Sequence, residues 1–227
     1  MKIEIIKTKD GSHSLLIPEM NETYHSTHGA LTESNYVFID KGLKFYTEKG
    51  DIAPTNHINI LEVGFGTGLN ALLTNIYSNT HKTAVNFFSL ETNPIDPKIL
   101  EQLNYHELID HPKGHELFQS IHASEWDKLV EINNYFSLKK INLALQEYSG
   151  ESELFDLVYF DAFAPSRQPE MWDIALFEKI YGLMKKDGVL VTYCAQGQFK
   201  RDLKACGFEV EKIPGPPGKA EMTRASK

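Results

Sequence analysis

The chain has 227 residues, and its 41% hydrophobic and 24% charged content is typical of one globular domain with a full core. No apolar run approaches the about 20 residues of a membrane helix, and the N-terminus lacks a signal-peptide pattern, so we expect a cytoplasmic protein with no membrane partner. The net charge of −8 argues against a surface coated with basic patches for nucleic acid. Residues 180–227 nevertheless hold nine Lys/Arg against five Asp/Glu and carry +4, against −12 for the remainder. We therefore expect any polyanion to contact this C-terminal segment.

The first fifty residues differ in pattern from the rest. Two short apolar runs, IEIIKT and HSLLIP, flank a turn signal at residues 9–12 and predict a β-hairpin. A loop then leads into a stretch in which apolar residues recur at helical spacing between Ala30 and Val37. We predict an N-terminal cap of hairpin plus helices over residues 1–50 and a main domain over residues 51–227.

From residue 56 onward, strand-like and helix-like segments alternate. The strand-like runs are INILEV, AVNFFSL, LFDLVYF and GVLVTYCA, and the helix-like runs are GLNALLTNIYSN, PKILEQLNY, EMWDIALFEKIYGLMK and QFKRDLKACG. The middle, residues 105–150, is mostly helical at first and then holds the third sheet strand with an inserted hairpin. FEVEKI and EMTRA predict a closing antiparallel hairpin. This alternation predicts an α/β, Rossmann-like fold with a mostly parallel sheet and helices on both faces.

Three glycines fall directly after the first strand of the main domain and before its helix. Gly64, Gly66 and Gly68 lack a Cβ, so the turn can fold tightly and its backbone N–H groups can approach a ligand. A dinucleotide prefers GxGxxG, whereas this loop reads GxGxG and continues with Leu69 and Asn70. The pattern indicates an adenosine-bearing cofactor and leaves a nicotinamide cofactor as an alternative.

Two carboxylates accompany the glycine loop. Glu62 precedes it and is suited to a cofactor's ammonium, directly or through water, while Glu91 ends the second strand and can accept two hydrogen bonds from ribose hydroxyls. The loop with its preceding acid resembles the first motif of class I S-adenosylmethionine methyltransferases, which implies S-adenosyl-L-methionine as cofactor. The residues predicted to hold it are Glu62, Gly64, Phe65, Gly66, Gly68, Asn70, Glu91, Thr92 and Asp161.

Asp161 ends the strand LFDLVYF, which should lie beside the first strand at the switch in strand order. Methyl transfer to an amine needs an acceptor for the amine N–H groups and a wall that orients the nitrogen. Asp161 can be that acceptor, and because alkylamines have a pKa near ~10 it can also bind the ammonium and help it lose a proton. Asp161 is thus the predicted catalytic residue, either as a base or as an orienting group. The alternative is that it only caps the turn before Pro165.

Four blocks carry a family resemblance over nearly the whole chain. YHSTHGALTES, LEVGFGTGLN, FDAFAPSRQPEMW and the GPPGKAEM tail resemble, in order, the methyltransferase domain of the MnmC family of tRNA wobble-uridine enzymes and its stand-alone relatives. The resemblance implies methyl transfer to the aminomethyl nitrogen on carbon 5 of a wobble uridine, often 2-thiolated, with the tRNA anticodon loop as partner. Bifunctional relatives add a flavin-dependent oxidase domain. This chain ends at Lys227, so we expect it only to methylate and a separate enzyme to supply the aminomethyl-uridine.

The resemblance also implies a substrate site. The N-terminal block would cover the sulfonium and exclude water, and aromatic residues after the Asp161 strand would stack on the uracil. Core packing is an equal alternative for Met171 and Trp172, and His25 taken alone is typical of a satisfied loop histidine. The predicted substrate residues are Tyr24, His25, Ser26, Glu33, Phe163, Met171 and Trp172.

One departure from the family concerns the adenine end of the cofactor site. Relatives tend to have a Gly-Asp pair after the third strand, where this chain has Tyr148-Ser149. Adenine contacts therefore cannot be carried over, and Gln146 or Glu147 are the candidates to replace them.

Eight basic residues are candidates for phosphate contacts, and so modest a number predicts weak, salt-sensitive tRNA binding that depends on a flipped base. They are Lys185, Lys186, Lys200, Arg201, Lys204, Lys212, Lys219 and Arg224. Two other functions stay open: transfer to a small amine, including aminopropyl transfer from decarboxylated S-adenosylmethionine, and a non-catalytic adenosine-binding module. Cys194 and Cys206 lack metal-ligand spacing, and we expect no metal.

Overall fold

The N-terminal part forms a small antiparallel sheet and then a helical stretch. The computed structural model describes residues 2–49 and 57–227. The predicted hairpin is confirmed, and a short third strand extends it. Gly42 lets the helical stretch approach the central sheet closely, since a Cβ there would lie 3.0 Å from Val191 Cγ2. The elements are β1 (Glu4–Lys7), β2 (His13–Ile17), β3 (Glu22–Thr23), α1 (Ala30–Ser34), a π-helical segment (Asn35–Lys44) and α2 (Phe45–Lys49).

Eight further strands form the central sheet. They are β4 (Ile58–Val63), β5 (Val85–Leu90), β6 (Val130–Asn133), β7 (Phe136–Ile141), β8 (Phe155–Phe160), β9 (Met184–Thr192), β10 (Glu209–Pro214) and β11 (Glu221–Ser226). Their order is β10-β11-β9-β8-β4-β5-β7-β6. The five central strands β9, β8, β4, β5 and β7 are parallel, and the two hairpins supply antiparallel edges. The predicted α/β fold with a mostly parallel sheet and a closing hairpin is confirmed.

Helices cover both faces of this sheet. Neighbouring residues of β8 point to opposite faces, so Tyr159 packs against Thr74 and Phe38 on one face, whereas Phe160 packs with Phe177 and Phe199 on the other. All six residues of β8 are buried, as expected for a central parallel strand. Within the described ranges, no helix is long and apolar enough to cross a membrane. The helices are α3 (Leu69–His81), α4 (Pro97–Leu100), α5 (Tyr105–Leu108), α6 (Gly114–Ala123), α7 (Ile174–Leu183) and α8 (Gly197–Ala205).

Two predicted helices have different bounds. EMWDIALFEKIYGLMK is a 3₁₀ turn over Pro169–Trp172 and then α7, because the Asp173 side chain accepts a hydrogen bond from Ala175 N and restarts the chain as a helix. The C-terminal end of this stretch is strand instead, since Met184 pairs with β8. PKILEQLNY likewise ends as a helix at Leu100. The predicted boundary between cap and main domain falls in residues 50–56, outside the described ranges, and the division stays a prediction.

Asp156, at the start of β8, joins four elements in one nearly buried cluster. Its carboxylate accepts hydrogen bonds from Asn59 N at 2.8 Å, from Tyr46 Oη at 3.0 Å and from Lys185 Nζ at 2.9 Å. These bonds fasten α2 and β9 to the amino ends of β4 and β8. A buried acceptor of this kind is costly to remove, because its donors are left unpaired.

We expect Asp156→Ala to lower the free energy of unfolding by about 1–3 kcal/mol, since three partly exposed donors lose a buried acceptor. Urea unfolding followed by circular dichroism measures this. The exposed Asp110→Ala is the matched control and should leave the midpoint unchanged. Equal midpoints for the two variants would contradict a structural role for Asp156.

Candidate active site

A pocket lies at the carboxyl ends of β4, β5, β7 and β8, where strand order reverses and ligands bind in open α/β sheets. Backbone pairing continues past the strand ends and fixes the residues there. Gly64 N donates to Leu90 O at 3.0 Å, and Asp161 N donates to Val63 O at 3.0 Å. The glycine loop and Asp161 therefore face the same pocket from adjacent strands.

Positive φ angles and close contacts explain why the first two of these three loop positions are glycine. Gly64 has φ +97°, and a Cβ there would lie 2.8 Å from Asp161 O. Gly66 has φ +50°, and its Cβ would meet the Tyr24 ring at 3.1 Å. Both glycines line the pocket, together with Phe65. Gly68 does not line it: with φ +72° it packs against His122, so packing accounts for this third glycine.

Glu91 lines the pocket opposite the loop and is held by two backbone groups. Its Oε2 accepts from Gly66 N at 2.9 Å, and its Oε1 accepts from Asn93 N at 2.7 Å. Each carboxylate oxygen has further lone pairs, so both can still accept a hydroxyl hydrogen. The adjacent Thr92 also lines the pocket. The structure thus brings Glu91 to the place where ribose contacts are predicted.

Asp161 lies on the pocket wall and accepts a hydrogen bond from Asn70 Nδ2 at 2.9 Å. Burial raises the pKa of Asp161 to about 7, and the negative charge of Glu33 adds to the rise, while Asn70 and Lys219 oppose it. The carboxyl is therefore poised between its two protonation states near neutral pH. A group of this kind in a pocket can accept a hydrogen bond from an amine or take up its proton.

Glu62 lies behind the pocket and is fully buried. The Ser89 hydroxyl donates to its Oε2, and its Oε1 has no hydrogen-bond partner within the described ranges. Burial raises the pKa of Glu62 well above the usual range for a carboxyl. Glu62 does not line the pocket, and its contact with the ammonium of the cofactor, directly or through water, stays a prediction.

Tyr24 and His25 close the pocket from the N-terminal side, where Tyr24 packs edge-on against Phe163 with ring centroids 5.2 Å apart. Burial raises the pKa of Tyr24 to about 12 and lowers that of His25 to about 4, so both side chains are neutral near pH 7. His25 Nδ1 lies 3.3 Å from Ser14 Oγ. His25 is therefore a satisfied, buried histidine that also forms part of the wall.

Ser26 and Glu33 stand one layer behind this wall and do not line the pocket. Glu33 accepts from Ser26 N at 2.7 Å and pairs with Lys219 Nζ at 2.5 Å. The same Nζ atom of Lys219 lies 3.8 Å from the centroid of the Tyr193 ring. We call this contact between the N-terminal block and the C-terminal tail the Glu33–Lys219 clamp. Contact of Ser26 or Glu33 with a substrate stays a prediction, and the clamp itself was not predicted.

Met171 and Trp172 occupy different positions. Met171 lines the pocket, whereas Trp172 is packed in the core with ring centroids 5.0 Å from both Phe160 and Phe199. Trp172 Nε1 donates to Phe163 O at 2.8 Å and so fixes the backbone of Phe163, which lines the pocket. Direct stacking of Trp172 on a base would require it to leave this packing.

The segment after β7 supplies lining that was not predicted. Residues 143–145 form an apolar wall near Glu91, whereas the predicted candidates Gln146 and Glu147 do not line the pocket. Lys179 holds the segment by donating to three backbone oxygens, those of Leu145, Gln146 and Tyr148. The apolar character of residues 143–145 was the only feature of the sequence that could have indicated this wall. Other lining residues that were not predicted are Val63, Thr67, Leu69, Leu90, Asn93, Ala162 and Gln168.

The fold and the pocket define a Rossmann-like, S-adenosylmethionine-dependent methyltransferase. Structural comparison finds MNMC2 from Aquifex aeolicus at a TM-score of 0.76 and 26% identity, covering 99% of this chain and 70% of that one. Spermidine synthase from Thermotoga maritima shares the fold at a TM-score of 0.56 and 12% identity, covering 99% and 68%.

Residues 113–227 match a family described as S-adenosyl-L-methionine-dependent methyltransferase, and the chain belongs to this family. Two similar proteins are each named tRNA 5-methylaminomethyl-2-thiouridine biosynthesis bifunctional protein MnmC. The one from Leptospira interrogans is 32% identical over 219 residues, covering 90% of this chain and 32% of its own length. The one from Nitrosospira multiformis is 31% identical over 213 residues, covering 88% and 33%. The chain thus spans about a third of these relatives.

The pocket residues fit S-adenosyl-L-methionine. The glycine loop leaves space that a Cβ would fill, Glu91 offers oxygens for the ribose, and the apolar wall at residues 143–145 suits adenine. Asn70 Oδ1 is buried without a hydrogen-bond partner in the described part of the chain, which leaves an acceptor free for the polar end of the cofactor.

Glu91→Gln should weaken S-adenosylhomocysteine binding about 10- to 100-fold, because a charged acceptor for the ribose hydroxyls becomes a neutral one. Isothermal titration calorimetry gives the dissociation constants. Glu107→Gln, an exposed residue outside the pocket, is the control and should bind as the unaltered protein does. Unchanged affinity in Glu91→Gln would exclude the ribose contact.

Asp161→Asn should stabilise the protein at alkaline pH. The unfolded carboxyl ionises above its ordinary pKa of 3.8, whereas the folded one keeps its proton up to about 7, so stability is lost as pH rises through this window. The variant avoids this loss, and we expect its Tm to rise by about 2–5 °C at pH 8 and to be nearly unchanged at pH 4. Differential scanning calorimetry at both pH values, with Asp110→Asn as control, measures it. A lower Tm at pH 8 would contradict the raised pKa.

Proposed function

We propose that this protein transfers a methyl group from S-adenosyl-L-methionine to the aminomethyl nitrogen on carbon 5 of the tRNA wobble uridine. The change is from 5-aminomethyl-2-thiouridine to 5-methylaminomethyl-2-thiouridine. The observation that carries the proposal is a carboxyl poised near neutral pH, Asp161, between the cofactor loop and the Tyr24–Phe163 aromatic wall. The names of the MnmC relatives and the likeness to MNMC2 support the same reaction.

Asp161, Asn70, Tyr24 and Phe163 each have a separate role in the proposed reaction. S-adenosyl-L-methionine supplies an electrophilic methyl group on its sulfonium. Asp161 accepts an N–H of the amine and turns the nitrogen lone pair toward that methyl, while Asn70 holds the carboxylate in place. The new N–C bond forms as the S–C bond breaks, and the amine proton passes to Asp161 or to water. Tyr24 and Phe163 exclude water and bound the uracil, with Met171 behind them.

The charge available for tRNA is smaller than the sequence predicts. Five of the eight candidate cations are in ion pairs, including Lys219 with Glu33 and Lys212 with Glu221. The other three, Lys186, Arg201 and Lys204, have no ion-pair partner within the described ranges. Arg201 and Lys204 belong to α8, which follows the carboxyl end of β9 and so starts at the same sheet edge as the pocket, and we take them as the phosphate contacts. With so few cations outside ion pairs, we expect the binding of tRNA to be weak and sensitive to salt.

Because the acceptor is a primary amine, a separate activity must install the aminomethyl group before this protein acts. The anticodon loop is the partner, and the reaction belongs in the cytoplasm, where tRNA is used. Residues 1–50 act as a cap that supplies Tyr24 and His25, and residues 51–227 act as the methyltransferase domain.

Labelled S-adenosyl-L-methionine, incubated with tRNA from a strain lacking this methylation, tests the proposal. We expect label in 5-methylaminomethyl nucleosides identified by mass analysis. Asp161→Asn should lower kcat about 10²- to 10⁴-fold while still binding S-adenosylhomocysteine, because the variant loses the acceptor for the amine and keeps the cofactor loop.

The exposed Asp40→Asn is the control and should retain full turnover. Full turnover in Asp161→Asn would exclude the role assigned to that carboxyl. Cofactor binding with no label in tRNA, but label in an alkylamine such as putrescine, would instead support the small-amine alternative.

A further inference from the structure

A second cavity lies on the other side of the glycine loop from the active site. It has a volume of about 770 Å³ and extends between the segment after β5, α6 and β7. This is room for a small organic ligand. Phe65 and Gly66 belong to the linings of both cavities, so the two share one wall.

Lys140, on β7, places a cation in this second cavity. The residue is 1% exposed, and within the described ranges its ammonium donates one hydrogen bond, to His122 O at 2.8 Å. The ammonium otherwise faces aromatic rings, 5.0 Å from the Trp126 centroid and 5.7 Å from that of Phe65. No carboxylate of the described residues lies within ion-pair distance of it. A buried cation with two unused donors is costly unless an anion or another acceptor joins it.

Two histidines of the same lining leave ring nitrogens free. His122 Nε2 and His106 Nδ1 are buried and have no hydrogen-bond partner in the described part of the chain. Burial and, to a smaller extent, the charge of Lys140 lower the pKa of His122 to about 4, so this ring is neutral near pH 7. The interior therefore offers one cation, polar ring atoms and aromatic surface.

The rim of the cavity has the opposite charge. Asp96 and Glu101 line it and are exposed to solvent. Two carboxylates at the entrance repel a ligand with several negative charges, such as an oligonucleotide or a polyphosphate. A single acid group on an apolar body can pass the rim and reach Lys140, while its body contacts Trp126 and Phe118.

We propose that this cavity is a second ligand site, which takes a monoanion with an aromatic body and binds the acid group at Lys140. The proposal does not depend on the acceptor of the methyl group. Its ligand class follows from one buried ammonium, an aromatic lining and an acidic rim. Since Phe65 and Gly66 are shared, a ligand there contacts the back of the loop that holds the cofactor.

The probe pair is 1-naphthoate and its neutral analogue 1-naphthamide, titrated by calorimetry. Saturating S-adenosylhomocysteine is present throughout, so that the active-site pocket is filled. We expect naphthoate to bind the unaltered protein at least about tenfold more tightly than naphthamide, because only the acid pairs with the buried ammonium. Lys140→Met should abolish this preference while retaining the binding of naphthamide.

Lys139→Met is the matched control, since Lys139 neighbours Lys140 on β7 and does not line the cavity, and it should keep the preference. Lys140→Met removes a buried charge and shortens the unbranched side chain by one atom, so loss of folding is not expected; circular dichroism checks this. Equal naphthoate binding in Lys140→Met, or no naphthoate binding to the unaltered protein, would overturn the proposal.

Discussion

The parallel pairing of β4 with β8 is the constraint on which the site depends. It sets Gly64 and Asp161 side by side at the ends of adjacent strands, so closely that a Cβ on Gly64 would lie 2.8 Å from the Asp161 carbonyl oxygen. In the proposed reaction, the loop that would hold the cofactor and the carboxyl that would contact the acceptor have to be neighbours, because the methyl group passes between the two ligands. Backbone hydrogen bonds between the paired strands are enough to produce this proximity. The surrounding side chains then set the orientation and the pKa of Asp161.

The surroundings of Asp161 set the pKa of its carboxyl, and the raised pKa has a cost in stability. Burial holds its pKa near 7, whereas the nearby Lys219 and Asn70 keep the ionised form accessible. A carboxyl with its pKa raised by burial contributes less stability to the fold at neutral pH than at acid pH, which is the cost of placing an acid in this pocket. Glu91, by contrast, has its geometry set by two backbone N–H groups, which suits a residue that only binds.

Residues at strand ends could be predicted from the sequence, and contacts between distant segments could not. The glycine loop, Glu91 and Asp161 each follow an apolar run, and parallel strands bring their carboxyl ends to one edge. The hairpins carry their own turn signals. Nothing local links Glu33 to Lys219, orients Lys179 toward the loop after β7, or shows that Lys140 is buried, because these depend on tertiary packing. The predicted start of a helix at Glu170 was wrong for a local reason: the side chain of Asp173 caps a new helix that begins at Ile174.

The Glu33–Lys219 clamp has a consequence for how the protein folds. It joins residues 186 positions apart, so almost the whole chain lies between its two halves. Contacts of such long sequence separation form late, because loop-closure entropy opposes them until the intervening sheet exists. A nascent or partly folded chain can therefore assemble the cofactor loop while the wall in front of it is still open. Reactivity toward an acceptor would then be the last property that the molecule gains on its way to the native state.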